Sequence, residues 1–422
     1  MPATSETVDT LRLATAGSVD DGKSTLIGRL LFDAKSILAD QLEHIAAVSH
    51  ARNGNGHLDL ALLTDGLRAE REQGITIDVA HRYFATPRRR FILADTPGHE
   101  QYTRNMVTGA STAQAAIVLV DARHGVVEQT RRHAAVAALL GVGHVVLAVN
   151  KMDLVGWSED VFDRIVTDFD CFAAKVGLGA VTPLPMSALH GDNVVSRSQR
   201  LGWYAGPALL DHLETVELPA GEPGGLRFPI QWVLRGESRA YAGRVAGGEL
   251  RPGAEVVALP SGERATVTAV ETFDGPLDVA PAGRSVSVRI DCELDLSRGD
   301  LLAAAESAPA PTREISADVC WMSERPLTAG ARLALKHGTS TVRAVIDEVV
   351  NRLDLAGGER VSLGENDGGG GGRGLSLNDI GRVRLRVSRP LPVEPYAANR
   401  VTGAFVLLDE GTHETVGAGM VA

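Results

Sequence analysis

Residues 17–24 read Gly17-Ser18-Val19-Asp20-Asp21-Gly22-Lys23-Ser24, and their reading decides the fold. The stretch matches G-x-x-x-x-G-K-S in the context that motif needs. A short β run over residues 11–16 enters it, and residues 24–31 leave it as a helix. The glycines let backbone N–H groups converge on phosphate oxygens, and the positive end of the following helix favours the same anion. Lys23 is placed to reach the β- and γ-phosphates and Ser24 to put its hydroxyl on Mg2+, with Thr25 beside them in the cradle. Two of the chain's five lysines, Lys23 and Lys151, lie in nucleotide motifs, where a compact ammonium is needed and a planar guanidinium would not fit.

Further motifs follow in order. Asp95-Thr96-Pro97-Gly98-His99 ends an apolar run. Asp95 can hold Mg2+ through water, and the Gly98 N–H can meet the γ-phosphate. Contacts that last only while that phosphate is present make this segment a switch. Upstream, Gly74-Ile75-Thr76-Ile77 offers Thr76 as a second hydroxyl ligand, so the expected metal set is Ser24, Thr76 and Asp95. Asn150-Lys151-Met152-Asp153 and Ser187-Ala188-Leu189 choose the base. The Asp153 carboxylate can accept from both N1–H and the exocyclic amine of guanine, a donor pair adenine lacks. Lys151 braces loop and base, and the Ala188 N–H is offered to the guanine O6. His99, directly after the switch glycine, is the candidate catalytic residue: an imidazole that orients the attacking water or stabilises transition-state charge. Val19 and Ile75 form an apolar gate that holds His99 back. The ordered set reads as a GTP-hydrolysing switch domain that uses GTP and Mg2+.

At 422 residues the chain predicts two or three domains. Up to about residue 219, short apolar runs at 91–94, 116–120 and 145–149 alternate with amphipathic stretches such as 128–140, the pattern of a doubly wound α/β sheet. Residues 219–225 are a Pro/Gly linker, and beyond it helical periodicity gives way to strands at 228–234, 255–259, 265–270 and 286–290. A second break at 307–311 opens another β-rich segment. The expected architecture is multi-domain: an α/β P-loop GTPase domain at 1–222, then β-barrel domains at 226–307 and 312–422. The five glycines at 368–372 read as a loop between barrel strands; neither a lysine nor a helix start follows to make them a phosphate site.

A net charge of −11 argues against broad nucleic-acid binding, which needs Lys and Arg to displace counterions. The run Arg88-Arg89-Arg90 reads instead as a solvated hairpin turn after Pro87. No apolar run is long enough to cross a bilayer, and residues 1–10 are polar and acidic with no signal core, so a cytoplasmic protein is expected. Cys171, Cys292 and Cys320 are widely spaced and read as three buried structural thiols.

Asp-Thr-Pro-Gly-His with Gly-Ile-Thr-Ile and two following β domains resembles the translation-factor GTPases of the elongation factor Tu type. Within that group the chain is most similar to the GTP-binding large subunits of bacterial sulfate adenylyltransferase (CysN). Residues 17–31, 65–80, 399–409 and 415–420 carry the likeness, which covers nearly the whole chain. Elongation factors usually carry His and Thr where this chain has Asp21 and Ser24. The resemblance implies a partner, the small catalytic subunit of sulfate adenylyltransferase, in a heterodimer or a higher assembly of heterodimers. That subunit binds ATP and sulfate and forms adenosine 5′-phosphosulfate and pyrophosphate, and GTP hydrolysis on the large subunit drives this uphill step. Some relatives carry a fused kinase; with no second G-x-x-x-x-G-K-[ST], that activity is expected to be absent here. The alternative reading is a GTP-gated carrier of aminoacyl-tRNA, which shares the motifs and the domain plan.

Overall fold

The computed structural model describes residues 9–35, 60–63, 76, 78–217, 224–236, 239–363 and 374–422. The chain forms two compact units, residues 1–219 with 354–359, and residues 220–353 with 360–422. The 219–223 part of the expected linker, the five-glycine stretch and Ile75 of the expected gate lie outside the described residues.

The first unit is built on a six-stranded sheet of β1 (Thr10–Ala16), β2 (Ala80–Ala85), β3 (Arg90–Asp95), β4 (Ala115–Asp121), β5 (His144–Asn150) and β6 (Ala180–Pro185), in the order β2-β3-β1-β4-β5-β6. Five strands run parallel and only the edge strand β2 is antiparallel. Parallel strands need crossover helices, which cover the sheet faces and allow continuous apolar strands. β4 meets that condition, with all seven residues buried. The helix after the phosphate loop, α1 (Lys23–Asp33), sets Leu26, Ile27 and Leu30 fully buried in the same core cluster as Leu11 and Leu13 of β1. Each such side chain contributes about 1.5–3 kcal/mol of burial, enough to fix the loop between strand and helix. Helix α2 (Thr103–Ala110) follows the switch motif, and α3 (Glu128–Leu139) follows β4. α4 (Glu159–Val176) starts where the Ser158 side chain accepts from the Val161 N–H at 3.3 Å. Glu159 and Asp160 suit its positive end, and it stops at Gly177, whose φ of 70° suits a residue without Cβ. α5 (Leu209–Thr215) closes the unit.

Two expectations are corrected. Arg89 is not solvated: its side chain is 11% exposed, pairs with Asp9 at 2.9 Å, and donates to the carbonyls of Leu213 and Val216 at 3.0 and 2.8 Å. A cation there satisfies carbonyls that the end of α5 leaves without helical partners. The cysteines are not all buried; Cys171 and Cys292 are exposed and Cys320 is buried.

The second unit holds two antiparallel barrels. In the first, strands 255–259, 301–304, 227–234, 240–244, 285–290 and 263–272 pair in that order, and 263–272 returns to 255–259 to close the ring. In the second, 332–337, 404–408, 415–421, 312–321, 380–391 and 340–353 pair likewise, and 340–353 closes onto 332–337. Closure removes the unpaired edges that open sheets expose. Alternation supplies each core: residues 340–347 run buried and exposed in strict turn. Arg227, from the first barrel's opening strand, forms a paired fork with Glu394 at 2.9 and 2.7 Å, and Thr402 donates to the same carboxylate at 2.6 Å.

Candidate nucleotide site

The parallel register brings four strand ends to one edge of the sheet. Thr15 lies opposite Asp95, and Asp121 opposite Asn150, so the loops after β1, β3, β4 and β5 converge there, where open α/β sheets bind ligands. β1 delivers the phosphate loop. Asp20 and Gly22 have left-handed φ values of 68° and 95°. A Cβ at Gly22 would lie 2.5 Å from Asn150 Nδ2, so that approach requires glycine. The buried Asp21 carboxylate accepts from the Ser18 N–H at 2.6 Å and fixes the turn. Burial pushes the Asp21 pKa up, against the pull of that hydrogen bond and of Lys23.

Lys23 is 7% exposed, and its Nζ donates to the carbonyls of Gly17 and Ser18 at 2.7 and 2.9 Å. Burial pushes its pKa down, while Asp21, Asp95 and Asp20 support the charged form. An ammonium so stripped of water gains from a phosphate anion laid against it. Gly98 packs onto it: a Cβ there would collide with Lys23 Nζ and the Gly17 carbonyl. Gly98 and Lys23, from two separate motifs, are therefore neighbours.

Asp95 and Thr96 are buried at the end of β3, and the Thr96 hydroxyl donates to the Thr15 carbonyl. Pro97 is also buried. Ser24 at the start of α1, its neighbour Thr25, and Thr76 are all half-buried. One carboxylate and two hydroxyls are the hard oxygen donors Mg2+ takes. His99 is half-buried; its Nδ1 accepts from the Gln101 N–H at 3.3 Å, and its ring meets Tyr102 edge-on at 6.0 Å. Val19 is exposed.

Asn150 ties the base loops to the phosphate loop. Its Nδ2 donates to the Asp21 carbonyl at 2.8 Å, and its Oδ1 accepts from the Ala188 N–H at 2.9 Å. The Ala188 N–H assigned above to the guanine O6 is thus engaged by Asn150. Lys151 has a left-handed φ of 62°, and its Nζ donates to the Asp20 carbonyl and lies 2.9 Å from Asp121 Oδ2. Asp153 is 15% exposed, with His190 Nε2 at 3.8 Å. Met152 and Ser187 are buried supports, and Leu189 is exposed. Asp121, Arg123 and His190 are additions that the motif reading passed over. For Asp121 one signal was available: a lone carboxylate ending an otherwise apolar strand.

The elongation factor Tu GTP binding domain family matches residues 9–219, and the GTP-eEF1A C-terminal domain-like family matches residues 314–422. "Sulfate adenylyltransferase subunit 1" of Bacteroides fragilis is 49% identical over 420 residues, covering 99% of this chain and 86% of that protein. This chain belongs to the sulfate adenylyltransferase subunit 1 family. A second member, from Cellvibrio japonicus, is 47% identical, covering 99% of this chain and 87% of its own length. "Bifunctional enzyme CysN/CysC" of Mycobacterium tuberculosis is 53% identical over 97% of this chain and 67% of that protein. Membership in this family bears out the likeness drawn from residues 17–31 and 65–80, and supports the enzyme-subunit reading over the tRNA carrier. The first unit is a GTP-binding domain of the elongation factor Tu type. Among the described residues, no helix is long and apolar enough to cross a membrane.

Proposed function

We propose that this subunit 1 relative is the GTPase subunit of a sulfate adenylyltransferase. It binds GTP at the edge where β1, β3, β4 and β5 end, and couples hydrolysis to formation of adenosine 5′-phosphosulfate from ATP and sulfate on a small catalytic partner subunit. The two would form a heterodimer or an assembly of heterodimers, with the large chain divided into domains at 1–222, 226–307 and 312–422. The observation that carries the reading is the joint placement of Lys23, Gly98 and Asn150, which links phosphate loop, switch and base loop through direct contacts.

Each residue has a role set by its chemistry. Lys23 and the N–H groups of residues 20–25 bind the phosphates. Asp153 selects guanine, with Asn150 holding its loop and Lys151 braced against the Asp20 carbonyl. Ser24, Thr76 and Asp95 would hold Mg2+, which supplies charge neutralisation at the β- and γ-phosphates. His99, on the residue after the switch glycine, orients the attacking water.

The decisive assay reconstitutes the chain with its small partner and follows adenylyl sulfate. Synthesis should depend on GTP and fail with Lys23→Ala. Equal synthesis without guanine nucleotide would sink the proposal, and tight GTP-dependent tRNA binding without synthesis would favour the carrier reading. His99→Ala should keep GTP binding and lose turnover by roughly two orders of magnitude or more, the scale of a positioned acid–base group.

A further inference from the structure

Asp121 ends β4 after six apolar residues and is 2% exposed. A carboxylate so deeply placed needs cationic partners. Arg123 supplies one with a fork: Nε lies 3.0 and 3.3 Å from the two carboxylate oxygens and Nη2 lies 2.7 Å from Oδ2. The Arg123 backbone N–H adds a bond to Oδ1 at 2.9 Å. Lys151 supplies the second cation, with Nζ 2.9 Å from Oδ2. Burial alone would raise the Asp121 pKa, but the bonds from Arg123 and Lys151 outweigh it and hold the carboxyl well below the usual carboxylate range.

The same Lys151 ammonium donates to the Asp20 carbonyl of the phosphate loop. Its backbone is left-handed, a conformation a lysine keeps only where its surroundings impose it. A lysine stem has four rotatable bonds, so an ammonium with one carbonyl partner is poorly fixed. Asp121 is the second point that defines its position, and the planar Arg123 fork fixes the carboxylate in turn.

We propose that Asp121, clamped by Arg123, is a positioning residue for guanine-nucleotide binding: it holds the Lys151 ammonium against the phosphate loop and so sets affinity, while base choice stays with Asp153. The inference rests on the guanine-nucleotide reading of the site and adds to it a pair outside the sequence motifs.

Titration of the full-length chain with a fluorescent GDP analogue, competed with GDP and with IDP, tests it. IDP lacks the exocyclic amine that Asp153 recognises. Asp121→Asn should weaken both nucleotides about 30-fold, the worth of one charge-assisted hydrogen bond, and leave the GDP/IDP ratio unchanged. Asp153→Asn should instead collapse that ratio. In a Lys151→Ala background, Asp121→Asn should add less than about 2-fold, because its effect runs through the missing ammonium. Arg123→Gln should weaken binding about 5-fold, and this effect too should vanish with Lys151→Ala; it serves as the second test if Asp121→Asn does not fold. An undiminished Asp121→Asn or Arg123→Gln effect in the Lys151→Ala background, a changed GDP/IDP ratio, or unaltered affinity would overturn the assignment. Failure of the wild-type chain to bind guanine nucleotide at all would instead refute the site reading beneath it.

Discussion

Acid should destabilise the first unit through one buried imidazole. His133 lies on α3 and is 1% exposed; its Nε2 sits 3.0 Å from Gln129 Nε2, and Nδ1 has no hydrogen-bond partner among the described residues. Burial, with the charges of Lys23 and Arg132, pushes its pKa down to about 3 from 6.5. The sign follows from proton counts. Between those values the unfolded chain carries a proton that native His133 refuses, so the stabilisation is complete above pH 6.5 and is lost as pH falls towards 3. The loss amounts to about 2 kcal/mol at pH 5 and about 3 kcal/mol at pH 4, a large part of the roughly 5–15 kcal/mol that holds a domain together. Other groups titrate too, so the comparison is with His133→Gln, which keeps a polar side chain but cannot take the proton. Hydrogen exchange of the slowest amides in β4 and β5, corrected for intrinsic rates, reads the opening free energy of this unit separately from the barrels. Between pH 8 and pH 5 the wild type should lose about 2 kcal/mol more than the variant. Parallel pH dependences would refute the argument, because His133 would then be protonated in the native state or the loss would come from elsewhere.

Three other outcomes follow from single contacts. Gly98→Ala should weaken GTP binding by at least roughly 10-fold and slow turnover, since its Cβ must displace the Lys23 ammonium or the Gly17 carbonyl; equilibrium binding and phosphate release read both. Asp153→Asn should exchange guanine for xanthine preference, because the amide donates where the 2-oxo group accepts; competition of GTP with XTP measures it. Arg227→Ala strands the Glu394 carboxylate, of which 14% is exposed, and should cost about 3–5 kcal/mol in urea unfolding of the barrel unit, whereas a Met/Leu pair replacing both residues should cost much less.

Neighbouring residues in the chain carried most of what could be read without coordinates. The phosphate loop is contiguous, and its glycines, lysine and serine act through their own backbone, so eight letters were enough to place strand, loop and helix. β3, β4 and β5 were visible as apolar runs because a strand covered on both faces has no polar side to show. Asn150 and Asp153 were legible for the same reason: both hang on one loop at a strand's end. Tertiary structure decided everything that depends on register between distant segments. Barrel closure seats 301–304 between 255–259 and 227–234, strands far apart in the chain that only the folded sheet brings side by side. Asp121 meets Lys151 because β4 and β5 align residue for residue, a coincidence no local pattern announces. The Ala188 N–H goes to Asn150 and Arg89 to the end of α5 on the same terms. Local chemistry is written along the chain, whereas partners for buried charges and polar groups are chosen only when packing brings them within hydrogen-bonding distance.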